Sequence, residues 1–445
     1  MKISNKNEAF EVIKKLTANG FEAYLAGGCV RDELCGKQPT DYDVATSARP
    51  EEVEKIFPRT LSFAKKYGVT NILFHDKVIV ETTTFRKEFE YLDSRRPAII
   101  EFGTLTDDFI RRDFTINALY KDVINDRIID LCGGINDLNN KILKCVGNPF
   151  ERFREDKLRI LRAVRFSGSM DLKIENETYN ALKHYKKELC SISYERINEE
   201  LTKMITKKNA LRCLKILDES ELLKEIIPEL SACKGVEQTP IHHPEGDVFV
   251  HTLKMFEFPD YPISKELAFS MILHDVGKAL TQEITSEKIT FYGHEKKSQE
   301  LSEIILRKLR FSKKEVNEIS YIVGNHMRFM HCQTMKTSTL KKLILSKTFD
   351  TELELHKFDC LASHGNIDNY EFLLKKKHEY MNQKTLPPPL INGNDLIKSG
   401  LVPSPEFKVI LKKIYNMQLE GKLSTKNEAM DKVALLAEKK QNENQ

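Results

Sequence analysis

The chain has no run approaching the roughly 20 consecutive apolar residues that a membrane helix requires, so no membrane-spanning role is expected. It also has no C-x-x-C pair. Its nine cysteines stand singly, at Cys29, Cys35, Cys132, Cys145, Cys190, Cys213, Cys233, Cys332 and Cys360. That spacing leaves no zinc ribbon or dithiol motif and suits reduced thiols in a cytosol. The opening MKISNKNEAFEVIKKL reads as an amphipathic helix without the apolar centre of a signal peptide, so a cytoplasmic protein is expected. Internal repeats and low-complexity blocks are absent. So is a strong excess of one charge: 31% of residues are charged, yet the balance is only +4. Any nucleic-acid site must therefore be a local basic surface.

With 445 residues and 40% apolar content, two to four domains with real cores are expected. Up to about residue 148 the segments FEAYLAGG, TDYDVAT, TNILFHD and KVIVETTTF are short, β-rich and bounded by turn residues, as in an α+β domain. From Pro149 onward the apolar spacing is helical and the remainder reads as all helix. The Pro-, Gly- and His-bearing break KGVEQTPIHHPEGD precedes a second helical unit, and LPPPLINGND precedes a last one. The expected domains are thus 1–148, 149–235, 236–384 and 385–445, with a frayed polar tail.

Within TDYDVAT, strand alternation puts Asp41 and Asp43 on one side and Tyr42 and Val44 on the other. Two carboxylates about 7 Å apart repel unless a cation sits between them, and a hard divalent ion is the natural partner. Alone, such a pair more commonly marks solvated aspartates at a turn. Upstream, AGGCVRDEL places Gly27 and Gly28 where a strand turns into a helix, so backbone amides can approach phosphate closely. Arg31 adds a guanidinium suited to bidentate phosphate contact, and Asp32 is placed to orient it.

GG-x-V-R-D followed within ten residues by D-x-D resembles the DNA polymerase β-like nucleotidyltransferases, in the branch with bacterial class II CCA-adding enzymes and poly(A) polymerases. The resemblance implies that Asp41 and Asp43 bind Mg2+, with Glu81 as the candidate third carboxylate. The other reading of Glu81 is a surface acid on an edge strand.

The stretch DDFIRRDFTINALY reads as an amphipathic helix that buries Phe114, Ile116 and Leu119 and lets Asp113 and Asn117 share a face. Its R-R-D-x-T-I-N-A core is similar to the family's next motif. That similarity implies that Arg111, Arg112, Asp113 and Asn117 contact the ribose and phosphates of the incoming nucleotide. Between Phe85 and Asp108, the charged FRKEFEYLDSRRPAIIEFGTLTD reads as a mobile loop. In the resembling family a loop here accompanies the switch from CTP to ATP, and its full length argues against an enzyme that adds C alone.

EDKLRILRAVRF is read as one helix with Leu158, Leu161 and Val164 on one face and Glu155, Asp156, Arg159 and Arg162 toward the other. Asp156 and Arg159 are either an i,i+3 surface ion pair or a recognition edge. A carboxylate acceptor beside a guanidinium donor fits cytosine and adenine, whose amine donor flanks a ring-nitrogen acceptor. Guanine and uracil reverse both groups and are rejected. The run resembles the family's E-D-x-x-R motif, which implies that Asp156 and Arg159 select CTP and ATP while Arg162 and Arg165 support the pocket or triphosphate.

His251, the pair His274–Asp275 and Asp359 resemble the H…HD…D order of HD phosphohydrolases, with His294 and His326 as further candidate ligands. Imidazole and carboxylate suit Mn2+, Ni2+ or Co2+. The resemblance implies either a phosphohydrolase acting on RNA 3′ ends or a retired module kept for binding. Basic runs such as TKMITKKNALR, LKKKH and FKVILKKIYNM read either as solvated helix faces or as surfaces that track RNA backbone, and the C-terminal segment resembles the family's tRNA-holding tail.

The expected architecture is therefore a polymerase β-like head, an all-α neck, an HD bundle and a helical tail. The expected activity is template-independent addition of CMP, CMP and AMP to tRNA from CTP and ATP, releasing diphosphate. An A-adding enzyme or poly(A) polymerase shares the early motifs, and a non-catalytic RNA-binding protein is the alternative of another class. Oligomeric state is not readable from the sequence.

Overall fold

A computed structural model describes residues 6–61, 65–75, 78–91, 97–286, 288–380 and 386–443. The chain divides into two compact units, Met1–Ser231 with Lys308–Phe311, and Ala232–Arg307 with Ser312–Gln445.

The first unit is built on a seven-stranded mixed sheet. Its strands are β1 (Ala23–Ala26), β2 (Val44–Thr46), β3 (Thr60–Leu61), β4 (Val69–Leu73), β5 (Ile79–Thr84), β8 (Leu119–Asp122) and β9 (Arg127–Asp130). They lie in the order β3-β4-β5-β2-β1-β8-β9, with β2 parallel to β5 and antiparallel to β1. Helices α1 (Lys6–Ala18), α2 (Gly28–Leu34), α3 (Pro50–Ile56), α4 (Leu105–Ile110) and α5 (Gly134–Asn139) accompany them. On one face Val12, Ile13 and Leu16 of α1 and Val53 of α3 pack with Leu25, Tyr42, Val44 and Val80. Each fully buried aliphatic chain stabilises by about 1.5–3 kcal/mol. Ala26, Ala45, Phe85 and Tyr120 form a second cluster. Because side chains alternate, Asp43 and Glu81 point away from the Tyr42–Val44–Val80 face.

Between β5 and α4 the expected mobile loop is instead a two-stranded antiparallel ladder, β6 (Arg86–Tyr91) with β7 (Pro97–Phe102). RKEFEY, four of whose six residues are charged, pairs with PAIIEF with Phe89 in register with Ile99, so polarity disguised a hairpin. Its turn, 92–96, lies outside the described residues.

Seven helices complete the unit: α6 (Pro149–Glu155), α7 (Leu158–Met170), α8 (Asn176–His184), α9 (Tyr194–Ile205), α10 (Ala210–Glu219), α11 (Leu222–Ile226) and α12 (Pro228–Ser231). The expectation of pure helix after Pro149 needs one correction here, because Lys173–Ile174 (β11) pairs in parallel with Ile142–Leu143 (β10). Asp171 in the left-handed region ends α7 and turns the chain into that pairing.

In the second unit, α13 (Val248–Lys254), α14 (Lys265–Leu273), α15 (Lys278–Thr281), α16 (His294–Lys308), α17 (Lys313–Gly324), α18 (Thr337–Ile344), α19 (Phe349–Ala362) and α20 (Asp368–Tyr380) form a bundle. A small antiparallel pair, β12 (Glu283–Ile284) with β13 (Ile289–Thr290), again interrupts the helices. Every residue of α14 from Leu267 to Leu273 is buried, as expected of a central helix that is apolar all round. Helices α21 (Gly393–Lys398), α22 (Glu406–Leu419) and α23 (Lys426–Glu443) close the chain around Ile391, Leu396, Ile414 and Val433. Among the described residues no helix is long and apolar enough to cross a membrane.

Candidate functional site

Asp41 and Asp43 do not lie within β2 but in the extended segment just before it. The Asp43 carbonyl still accepts from the Ala26 amide at 3.0 Å, so the strand alternation extends back to it. Tyr42 and Val44 enter the core while Asp41 is exposed. Parallel pairing matches Val44 with Thr82, which sets Glu81 beside Asp43. β5 lies between β4 and β2, so the edge-strand reading of Glu81 is excluded. Desolvation, then the charges of Glu81 and Asp41, push the Asp43 carboxyl up to about 7 against the opposing pull of Arg112. Glu81 is raised as well, by desolvation and by Asp41. Three mutually repelling oxygen donors fit a hard divalent cation.

Gly27 has φ +75, a conformation that disfavours any side chain, and ends β1 by donating its amide to the Leu119 carbonyl at 2.9 Å. A Cβ there would lie 2.9 Å from Arg112 Nη1. Gly28 opens α2, and Arg31 follows in its last turn. Arg31 donates through Nε (2.9 Å) and Nη2 (2.7 Å) to one oxygen of Asp32, so Asp32 orients it.

The second motif is not one helix. α4 stops at Ile110, Phe114 is extended and bridges to Cys145, and only Thr115–Asn117 returns to a 3-10 turn before β8. The Thr115 amide donates to the Lys144 carbonyl and the Val146 amide to that of Asp113, so strand-like pairing overrides the helical pattern. Phe114, Ile116 and Leu119 are nonetheless fully buried. Asp113 and Asn117 do meet, with Asn117 Nδ2 donating to Asp113 Oδ1 at 3.1 Å.

Asp108, unnoticed in the sequence, is buried at the base of this motif. It accepts from Arg111 Nε (2.8 Å), Arg112 Nη2 (3.1 Å) and the Tyr120 hydroxyl (2.7 Å). Burial alone would raise its pKa, and the two guanidiniums hold it below the ordinary value.

The third motif is also broken. Asp156 terminates α6 in an extended conformation, and its Oδ1 accepts from the Leu158 amide at 3.0 Å to start α7. An aspartate is a better cap than a helix-interior residue, which is why the helix divides here. Leu158, Leu161 and Val164 are buried, as expected. Asp156 and Arg159 do not form the i,i+3 ion pair. Asp156 faces Arg196 of α9, whose Nη1 and Nη2 lie 3.4 and 3.2 Å from its two oxygens. Arg159 is buried and donates to Glu155 Oε2 (2.7 Å) and to the carbonyls of Arg152 and Arg111 (both 2.9 Å). Arg162 Nε donates to Asp113 Oδ2 at 2.8 Å, and Arg165 Nε donates to Glu200 at 2.6 Å.

These contacts tie the motifs into one relay. Asp32 holds Arg31, Arg31 Nη1 donates to Asn117 Oδ1 at 2.5 Å, Asn117 bonds Asp113, and Asp113 binds Arg162. Arg31, Arg162 and Arg165 also stand 5.2, 5.3 and 4.1 Å from the centre of the Phe166 ring, so one buried phenyl group spaces three guanidiniums. Arg196 was missed because its partner Asp156 lies 40 residues away in the chain, and the contact of Phe166 with Arg31 is likewise distant in sequence.

In the second unit all six expected HD residues converge. The Nε2 atoms of His251 and His274 and an Asp359 oxygen form one group that can hold a metal, and Asp275, His294 and His326 form another. His251 Nε2 is 3.1 Å from Asp359, and His274 Nε2 is 3.2 Å from Asp275 Oδ2. Asp275 Oδ1 is 3.4 Å from His294 and 3.6 Å from His326, so this carboxylate spans both groups. His274, His294 and His326 each set Nδ1 against a backbone carbonyl, of Met271 (3.0 Å), Phe291 (2.9 Å) and Val323 (2.7 Å). The Nδ1 hydrogen is thereby used and Nε2 is free to ligate. At these short distances His251 Nε2, His274 Nε2 and Asp275 Oδ1 still lack hydrogen-bond geometry among the described residues, as ligand atoms gathered for a metal would. Burial opposes charge on Asp275, but His274 and Lys278 hold its carboxyl well below the ordinary value.

Three family profiles match in chain order: the Poly A polymerase head domain over residues 23–144, the probable RNA and SrmB-binding site of polymerase A over 171–234, and the HD domain over 249–348. A CCA-adding enzyme of Ligilactobacillus salivarius is 33% identical over 413 residues, spanning 92% of this chain and 90% of its own length. One from Enterococcus faecalis is 48% identical over 199 residues, 44% of this chain and 48% of that protein. The CTP-bound CCA-adding enzyme of Bacillus stearothermophilus superposes with a TM-score of 0.77 at 25% identity, covering 99% of both chains. The Thermotoga maritima CCA-adding enzyme with tRNA shares the fold at 20% identity, with a TM-score of 0.61 over 98% of this chain and 97% of that one. The chain belongs to the family of CCA-adding enzymes, in a form that carries an HD domain.

Proposed function

We propose that the chain adds CMP, CMP and AMP to the 3′ end of tRNA from CTP and ATP in the cytoplasm, with its own side chains in place of a template. Asp41, Asp43 and Glu81 would hold Mg2+, which lowers the barrier to attack of the primer 3′-hydroxyl on the α-phosphorus and expulsion of diphosphate. The Gly28 amide and the Arg31 guanidinium receive phosphate oxygens, and Gly27, whose amide is taken by the Leu119 carbonyl, lets the phosphate approach the backbone closely. Arg111, Arg112, Asp113 and Asn117 set the ribose and phosphates, braced from below by Asp108.

Asp156 and Arg159 read the base edge. Asp156 accepts from the exocyclic amine of cytosine or adenine, and Arg159 donates to the adjacent ring nitrogen. Their partners keep this edge oriented: Arg196 steadies Asp156, while Glu155 and two carbonyls fix Arg159. Arg162 and Arg165 reinforce the pocket. The observation that carries the reading is the relay from Asp32 through Arg31, Asn117 and Asp113 to Arg162, which links phosphate-binding, sugar-binding and base-reading motifs.

The domains read as head 1–148, neck 149–235, HD bundle 236–384 and a tail 385–445 that holds tRNA. The test offers CTP, ATP or both to tRNAs ending before, within or just short of CCA. A requirement for CTP on the shortest primer is expected. Activity restricted to a CC end would identify an A-adding enzyme, ATP addition to any RNA a poly(A) polymerase, and binding without addition a non-catalytic protein.

A second reading rests on the convergence of imidazole and carboxylate atoms into two groups that can hold a metal. His251, His274, Asp275 and Asp359, with His294 and His326, would hold Mn2+, Ni2+ or Co2+, which supplies an activated water for phosphoester hydrolysis at RNA 3′ ends. Hydrolysis of a 2′,3′-cyclic phosphate by the metal-loaded protein tests it.

A further inference from the structure

Three of the four histidines in the HD cluster set Nδ1 against backbone carbonyls, but His251 does not. Its Nδ1 lies 2.6 Å from Oε1 of Glu245, a carboxylate only 2% exposed. The same oxygen lies 2.9 Å from Nδ1 of His243, whose ring stands edge-on to that of His251. Glu245 Oε2 is buried without a hydrogen-bond partner among the described residues.

The backbone around Glu245 is fixed at both sides. Two residues on, Asp247 accepts from the Val250 amide (2.8 Å) to cap α13 and from the Gly235 amide (2.7 Å) to close the preceding turn. Gly246, at φ +127, makes the bend that returns Glu245 toward the first turns of α13, where His251 sits. At the start of the segment, Gln238 accepts from Lys278 at 2.7 Å, and Lys278 is itself 2.7 Å from Asp275.

We infer that Glu245 is a positioning residue of the HD cluster, which holds His251 as the Nδ1–H tautomer and makes it the strongest-donating imidazole of the four. The inference rests on the metal-binding reading of that cluster. A carboxylate on the distal nitrogen raises ligand basicity more than a neutral carbonyl does. The two metal groups are therefore unequal: the cation held by His251, His274 and Asp359 binds more tightly than the one held by Asp275, His294 and His326. His243, Glu245 and His251 do not form a third metal site, because His251 cannot offer a lone pair at Nδ1 while that nitrogen carries the proton shared with Glu245.

The test is calorimetric titration of Mn2+ into the chelator-stripped full chain, with nucleotide addition as the check that each variant folds. Wild type should show two unequal binding steps. Glu245→Ala should weaken the tighter step by about 10- to 100-fold and leave the weaker one unchanged. Glu245→Gln, which keeps an acceptor oxygen and loses the charge, should recover part of that loss. Unchanged tight binding in Glu245→Ala, equal weakening of both steps, or no recovery in Glu245→Gln would overturn the role of Glu245 while leaving the HD reading in place. Absence of Mn2+ binding by wild type would overturn both.

Discussion

Burial and the repulsion of Glu81 and Asp41 push Asp43 up to about 7, although Arg112 favours its charged form. In the HD bundle, carboxylates and imidazoles alternate. Burial would raise Asp359, yet His251 and His274 hold it far below the ordinary carboxylate range. The two clusters differ in what they require of a cation. Oxygen donors that repel one another suit a hard ion that arrives with a triphosphate and leaves with diphosphate. A nitrogen-rich cluster with its Nε2 atoms oriented from behind suits a resident first-row transition metal.

Mutations that separate the two sites test this difference most strongly. Asp43→Ala should lower nucleotide addition by on the order of 10³-fold, the scale of a lost preorganised electrostatic contribution, while hydrolysis of a cyclic phosphate persists. His274→Ala with Asp275→Ala should give the opposite pattern, with hydrolysis lost and primer extension retained, read in parallel assays on the same preparations. A variant that abolished both activities without unfolding would merge the sites and break the comparison.

Effects on the proposed base-reading edge are smaller. Asp156→Ala should narrow the preference for CTP over GTP or UTP by about 10- to 100-fold, since each base-edge contact contributes about 1–3 kcal/mol. Competitive incorporation of labelled nucleotides measures it. Arg196→Ala should shift selectivity in the same direction by less, because it removes the partner of Asp156 and leaves the proposed reader itself.

A pH effect sharpens the electrostatic side of the comparison. Burial alone would raise Asp113, but Arg162 and Asn117 lower it from 3.8 to about 2. Because the folded value is depressed, this stabilisation is complete above the unfolded value and is lost as pH falls through the folded one. It amounts to on the order of 2 kcal/mol. Asp113→Asn should therefore flatten the acid limb of stability between about pH 4 and pH 2, measured by chemical denaturation.

The motifs were legible because their chemistry depends on residue type at short spacing. Gly27 with a left-handed φ, the pair Asp41 and Asp43, and the HD dipeptide each mark a local requirement. What was obscured came from contacts distant in sequence. Arg111–Asn117 carries a helical pattern, yet pairing of Asp113 and Thr115 with residues 144–146 pulls it straight. Glu155–Arg165 has an unbroken apolar period, yet Asp156 leaves the helix to cap the next one. The hairpin of β6 and β7 was hidden because four of the six residues of β6 are charged. Arg196 and Glu245 carry no motif of their own, and only the fold brings them to the residues they contact.

The most direct measurement is the metal content of the purified chain after prolonged dialysis against buffer containing only Mg2+. The account predicts about two equivalents of a first-row transition metal, one per histidine-carboxylate group, retained in Asp43→Ala and lost when His274 and His326 are replaced. A wild-type chain free of transition metal, or one whose bound metal departs with Asp43, would contradict it.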